Sequence, residues 1–310
     1  MFFEGSEKKV EVVVKAGGRS LRDLGKPFWE VIVAESQATI LSTLSNEVCD
    51  AYLLSESSLF VWEDRFLMLT CGTTTLVNAI TKFLESYGRD NVTMVVFQRK
   101  NEYQSHLQKT CVEDDIEALE QFISGTAYRL GHLDAHHNYV YHLNNHFEPE
   151  ADDFTAELLM YHISGPVADY LRSEGQTAEG IRSRLQLSEL LPGFTIDDFV
   201  FEPYGYSLNA IKDGYYATFH ITPQERSSYV SFETNLDVEH EHAELFDRIL
   251  AIFQPKSYDV ISFDITPALT VPDQVVCISH YEQSLACGYQ MTFRHFLEVV
   301  TEPAVAERII

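Results

Sequence analysis

Hydrophobic and polar positions alternate with a period of two over much of this chain. In residues 215–221, Tyr215, Ala217, Phe219 and Ile221 fall on one side, and Tyr216, Thr218 and His220 on the other. That alternation marks an antiparallel strand with two unlike faces. Comparable strand-like runs occupy residues 11–15, 29–34, 58–62, 66–69, 93–98, 138–142, 229–233 and 260–265. Between them, apolar residues recur at helical spacing. Leu76, Ile80, Phe83, Leu84 and Tyr87 form one stripe, just after Thr73-Thr74-Thr75. Ile116, Leu119, Phe122 and Ile123 form a second; Leu245, Phe246, Ile249, Leu250 and Phe253 form a third, with Asn235 and Asp237 as N-cap candidates. Two stretches therefore run from strands into a helix, one near residue 80 and one near 245. A duplicated α+β architecture produces that order.

A chain of 310 residues, 45% hydrophobic and with only 15 Gly and 10 Pro, can bury a large core and contains no obvious linker. Ala16-Gly17-Gly18 and the acidic run at residues 148–153 come nearest to one, and both read as surface loops of a single unit. The formal charge of −25 repels phosphate backbones and anionic membranes and favours cationic ligands, so nucleic-acid binding is not expected. Five cysteines, an odd number without a CxxC pair, point to a reducing compartment. Residues 1–7 lack a basic segment followed by an apolar one, and no apolar run reaches the length of about 18 residues that a membrane helix needs. A soluble, cytoplasmic protein is expected.

The segment Leu54-Ser55-Glu56-Ser57-Ser58 interrupts an apolar strand with residues that gain little from burial. Alone, it reads as a turn whose hydroxyls bond nearby backbone. Four further segments change that reading. They are Phe2-Phe3-Glu4-Gly5-Ser6-Glu7-Lys8, Leu69-Thr70-Cys71-Gly72-Thr73-Thr74, Pro203-Tyr204-Gly205-Tyr206-Ser207-Leu208-Asn209, and His220-Ile221-Thr222-Pro223 continuing to Tyr229-Val230-Ser231-Phe232-Glu233. Together and in this order, the five resemble the signature segments of the eukaryotic-type, pyruvoyl-dependent S-adenosylmethionine decarboxylase proenzymes, over roughly residues 2–265.

The resemblance implies a four-layer α/β/β/α sandwich of two packed antiparallel sheets, internally duplicated. It also implies self-cleavage at Glu56–Ser57 into a β chain (residues 1–56) and an α chain (residues 57–310), with Ser57 becoming the pyruvoyl cofactor. That group would bind the substrate amine as a Schiff base and act as an electron sink. By the same resemblance, His220 takes the α-proton of Ser57 during cleavage, Ser207 positions the ester intermediate, and Cys71 reprotonates the substrate. Histidine suits such a base because it titrates near neutrality. Cys71 lies just ahead of a predicted helix whose dipole would tune its thiol. Glu4 and Glu7 would border the site, Phe3 and Phe201 would sandwich the adenine ring, and Leu54 and Glu56 would read its edge. Cys49, Cys111, Cys277 and Cys287 read as inert.

The chain also departs from the family pattern. Gln224 stands where the family has a glutamate that accepts bonds from both ribose hydroxyls, so one acceptor and the charge assistance are lost. Glu225 would point to the opposite face if the strand continued. Tyr204 stands where the family often has cysteine. Glu11 and Glu233 resemble members of a buried acidic site that binds putrescine as activator, but Leu69 replaces a lysine near it and Ser164 an aspartate, so activation by putrescine is not expected. His132, Asp134, His136, His137 and His142 have spacing that permits metal ligation, but they read as a solvated loop, as do His240-Glu241-His242, and no metal is expected. Two rivals remain beside the decarboxylase: the same pyruvoyl chemistry on another amino acid, and a non-catalytic regulatory paralogue. The resemblance fits a monomer or a homodimer.

Overall fold

The computed structural model describes residues 7–300 together with 303, 305 and 306. Eight strands of the first half form one antiparallel sheet: β1 (Lys8–Val14), β2 (Ile40–Ser45), β3 (Asp50–Leu54), β4 (Ser57–Val61), β5 (Arg65–Thr70), β6 (Val92–Lys100), β7 (Gly125–Gly131) and β8 (His137–Leu143). The second half repeats the plan with β9 (Thr155–Tyr161), β10 (Thr195–Val200), β11 (Tyr206–Lys212), β12 (Tyr215–Thr222), β13 (Tyr229–Thr234), β14 (Ser257–Phe263), β15 (Val275–Ser284) and β16 (Gln290–Glu298). The spatial orders are 2-3-4-5-1-6-8-7 and 10-11-12-13-9-14-16-15. Adding eight to each strand number of the first order gives the second, so the duplication lies in the topology. The acidic run at 148–153 falls in the connection between the two halves.

Helices α1 (Gly25–Glu35), α2 (Leu76–Phe83) and α3 (Val112–Glu120) cover the outer face of the first sheet. Helices α4 (Gly165–Leu171), α5 (Ala178–Arg184), α6 (Leu187–Leu190) and α7 (Leu245–Phe253) cover that of the second. The inner faces meet through a third layer of residues, including Val13, Met94, Tyr161, Tyr229, Phe60 and Tyr216. Four layers result, helix, sheet, sheet and helix, as expected. Helix α2 shows why the pattern is read so strongly: Leu76, Val77, Ala79, Ile80 and Phe83 are all buried, and each large side chain contributes about 1.5–3 kcal/mol.

Residues 29–34 depart from the expectation, since they lie in α1 and not in a strand. The Val-Ile-Val run favours β structure locally, but Trp29, Ile32 and Val33 are buried while Val31 is half exposed. That i, i+3, i+4 spacing lets α1 pack Trp29 against Phe66 and Phe83, and tertiary packing outweighs propensity. The N-caps also differ. Asp237 Oδ1 accepts from the N–H groups of Glu239 and His240 in a local turn, and α7 starts only at Leu245. Strand β12 ends at Thr222, so Gln224 and Glu225 belong to the following loop, and strand alternation does not govern where they point.

Candidate active site

Period-two alternation sends specific polar groups into the layer between the sheets. In β1, Val10, Val12 and Val14 face the helices, which turns Lys9 and Glu11 inward with Glu7 just before them. In β12, Ala217, Phe219 and Ile221 join the helix-side core, and Thr218 and His220 face the first sheet, as the sequence predicts. Ser207 and His220 are direct cross-strand partners on β11 and β12.

Strands β3 and β4 form a hairpin in which Leu54 pairs with Ser57. The bond Glu56–Ser57 therefore sits at the end of a two-residue turn. Ser55 anchors this turn, its N–H donating to the Thr39 carbonyl at 2.9 Å and its Oγ accepting from the Thr39 N–H at 3.1 Å. Ser57 has φ of 129°, outside the regions open to residues bearing a Cβ without strain. Its hydroxyl is buried and donates to Glu7 Oε1 at 3.1 Å. On the other side of the bond, the Glu56 carbonyl accepts the Cys71 N–H at 2.9 Å. Nucleophile and carbonyl are thus held by separate groups.

Cys71 Sγ lies 3.1 Å from His220 Nε2, and Ser207 Oγ lies 2.7 Å from His220 Nδ1. Glu56 Oε2 approaches the thiol at 3.7 Å. Burial pushes the His220 pKa down to about 4. The Cys71 thiol is pushed well above its ordinary value, first by burial and then by the carboxylates of Glu56 and Glu7. Helix α2 begins five residues later, at Leu76, and the direction of the thiol's shift is set by burial and these carboxylates. A low-dielectric site penalises both charges, which favours neutral thiol and neutral imidazole over an ion pair.

Glu7 has its pKa raised by burial, partly offset by Lys100 and by hydrogen bonds from Ser231 and Ser57. Its Oε2 accepts from Tyr229 at 3.4 Å and lies 3.7 Å from Lys100 Nζ. Behind it, Lys9 bridges Glu157 at 2.9 Å and Glu233 at 2.8 Å, and Lys100 reaches Glu157 at 2.5 Å. Burial alone would raise Glu157, but Lys100 and Lys9 hold it below the usual carboxylate range. Tyr229, Ser231, Lys9, Lys100 and Glu157 are the groups that sequence reasoning did not assign to the site. The signal was present for Tyr229 and Ser231, since they alternate with Val230 and Phe232 on β13 and share a face with Glu233.

A cleft of about 300 Å³ opens beside His220, lined by Ser55, Glu56, Phe201, Tyr204, Thr222 and Gln224 among others. Phe201 stands in its wall, edge-on to Phe199. Gln224 Oε1 is buried and has no hydrogen-bond partner among the described residues, which leaves an acceptor for a ligand hydroxyl. The Leu54 side chain is buried in the core beneath the helices, and the next two residues, Ser55 and Glu56, line the cleft. Phe3 and Glu4 lie outside the described residues. Of the remaining expected residues, Ser57, Cys71, Ser207, His220, Glu7, Glu56, Phe201 and Gln224 are gathered at one edge of the two sheets.

The family model for adenosylmethionine decarboxylase matches residues 1–301. The S-adenosylmethionine decarboxylase proenzyme of Dictyostelium discoideum is 34% identical over 301 residues, covering 90% of this chain and 77% of the relative. The proenzyme of Xenopus laevis is 34% identical over 274 residues, covering 83% and 82%. In fold, the chain resembles the crystal structure of the Trypanosoma brucei AdoMetDC-delta26 monomer, with a TM-score of 0.60 at 24% identity, covering 78% of this chain and 99% of that one. The chain belongs to the adenosylmethionine decarboxylase family.

Proposed function

We propose that this protein cleaves itself at Glu56–Ser57 and then decarboxylates S-adenosylmethionine, supplying the aminopropyl donor for spermidine synthesis. The single observation that carries the reading is the opposed clamping of that bond, with the Ser57 hydroxyl on Glu7 and the Glu56 carbonyl on the Cys71 N–H.

Cleavage begins when Ser57 Oγ attacks the Glu56 carbonyl carbon, the C–N bond breaks, and an ester replaces the amide. Glu7, whose pKa burial raises, takes the hydroxyl proton, and that proton goes to the Ser57 nitrogen as the C–N bond breaks. The Cys71 N–H stabilises the oxyanion as charge develops on the Glu56 oxygen. Release of the φ strain at Ser57 favours the shift. Neutral His220, held by Ser207, then removes the Ser57 α-proton; the ester oxygen leaves with residues 1–56, and water converts the remaining dehydroalanine to a ketone with loss of ammonia.

The residues present fit a pyruvoyl group, because its serine precursor is buried beside an uncharged acid–base pair. When in place, the pyruvoyl group supplies the electron sink for decarboxylation. Cys71, whose thiol stays protonated, then delivers a proton to the substrate α-carbon. Phe201 offers a ring face for the adenine, and Gln224 Oε1 accepts from a ribose hydroxyl. The net charge of −25 favours a substrate that carries a sulfonium.

Release of labelled carbon dioxide from carboxyl-labelled S-adenosylmethionine tests the reading. Saturable release, resistant to competition by basic amino acids, supports it. Release only from another amino acid would move the pyruvoyl chemistry to that substrate. No release without an added partner protein would favour a regulatory paralogue.

A further inference from the structure

A second cluster of chemistry-bearing side chains lies away from Ser57, where β14 and β16 meet the turn between β7 and β8. Asp259 on β14 is fully buried between two imidazoles. His295 Nδ1 on β16 lies 2.6 Å from its Oδ1, and His136 Nδ1 lies 3.1 Å from its Oδ2. The two rings stack with centroids 4.1 Å apart, which aims both Nδ1 atoms at one carboxylate. We propose that His136, Asp259 and His295 form a binding site for one divalent ion of the zinc class.

Four observations carry this. One donor atom from each of the three residues lies within 4.8 Å of the other two, and the ligand atoms of a tetrahedral zinc with bonds near 2.0–2.1 Å are separated by about 3.3 Å. Two neutral imidazoles and one carboxylate form a donor set that suits zinc, cobalt and nickel. Coordination through both Nδ1 atoms places the ring protons on Nε2. The carboxylate is also braced from outside the set, since the Tyr161 hydroxyl donates to Asp259 Oδ2 at 2.9 Å, and metal-binding carboxylates characteristically carry such a bond. Finally, Asp259 pairs with no lysine or arginine among the described residues, and the groups its buried carboxylate meets are the two imidazoles and the Tyr161 hydroxyl.

Access is provided by His136, whose side chain is 20% exposed while those of Asp259 and His295 are buried. The open side leaves the fourth position to water. Of the histidine-rich loop read as solvated, only His136 takes part. His132 bonds Tyr281, and His137 bonds the Ala135 carbonyl. The ion would sit between strands of the second sheet and a turn of the first, tying the two sheets at an edge.

The test is titration of the chelator-treated, tag-free full chain with Co²⁺, followed by displacement with Zn²⁺. One equivalent is expected, with visible bands of a low-coordinate cobalt ion and no thiolate charge-transfer band. His295→Ala should abolish the bands, and His136→Gln, on the part-exposed turn, should weaken binding roughly tenfold or more. Should H295A fail to fold, H136Q decides. Absence of stoichiometric binding, a thiolate band, or wild-type affinity in H136Q would each overturn the proposal. The readout is metal content and spectrum, independent of carbon dioxide release.

Discussion

Ser207 and His220 face each other across β11 and β12, and the 2.7 Å contact between Oγ and Nδ1 turns the other imidazole nitrogen onto Cys71, 3.1 Å away. One cross-strand pair thus fixes the orientation of the site's base. If His220 acts only after the ester has formed, His220→Ala should stop processing at that stage. Hydroxylamine should then split the variant at Glu56–Ser57, while untreated chain remains whole. A variant that matures at the wild-type rate would contradict this role.

The pH dependence of self-cleavage follows from the direction of the His220 shift. Burial lowers its pKa from 6.5 to about 4, so the folded chain keeps the imidazole neutral across the neutral range. The cleavage rate should hold steady as pH falls through 6.5, where an exposed histidine would be lost, and decline only as pH approaches about 4. Stability carries the same sign: below 6.5 the unfolded chain binds a proton the folded chain does not, so this group's contribution is lost as pH falls toward 4. Cleavage rates of freshly translated chain at graded pH check the first, and denaturant unfolding of the uncleavable Ser57→Ala chain over the same range checks the second.

Cys71 contributes a backbone N–H to the Glu56 carbonyl and a thiol that meets His220 and Glu56. Cys71→Ala removes only the second. Self-cleavage should therefore persist, while turnover on S-adenosylmethionine falls by about 10²–10⁴-fold, the range for a lost proton donor.

Gln224→Glu should restore a charged acceptor in the cleft wall. Its effect belongs to binding, so KM for S-adenosylmethionine should fall about tenfold, as for a hydrogen bond gaining roughly 1.4 kcal/mol through charge. Little change in kcat is expected, and steady-state kinetics separate the two.

Lys9 and Lys100 occupy the buried acidic cluster around Glu157 and Glu233. A diamine finds its partners already taken, so putrescine should leave the decarboxylation rate unchanged. Glu157→Gln would remove the carboxylate the two ammonium groups share, leaving Lys9 to Glu233 and Lys100 to Glu7, and should destabilise the fold by about 3–5 kcal/mol, measured by denaturant unfolding.

The parts of this molecule legible in its sequence were those written in period two or in a helical stripe. The inward face of β12 and the stripe of α2 needed nothing beyond alternation. The Val-Ile-Val of α1 misled because its burial pattern depends on Trp29 meeting Phe66 and Phe83, which no local window contains. The residues of the site were legible only through their resemblance to known signatures. Their charge states were not: the sequence reads Cys71 as a thiol tuned by a helix dipole, whereas burial, with Glu56 and Glu7 nearby, raises its pKa. Likewise, His136 reads as loop until Asp259 and His295, more than a hundred residues away in sequence, are brought against it.

The intact mass of the purified protein under denaturing conditions tests the central claim most directly. The account predicts two fragments divided at Glu56–Ser57, with the larger one carrying a ketone in place of the Ser57 amine and blocked to N-terminal sequencing. A single chain of 310 residues after prolonged incubation would contradict it.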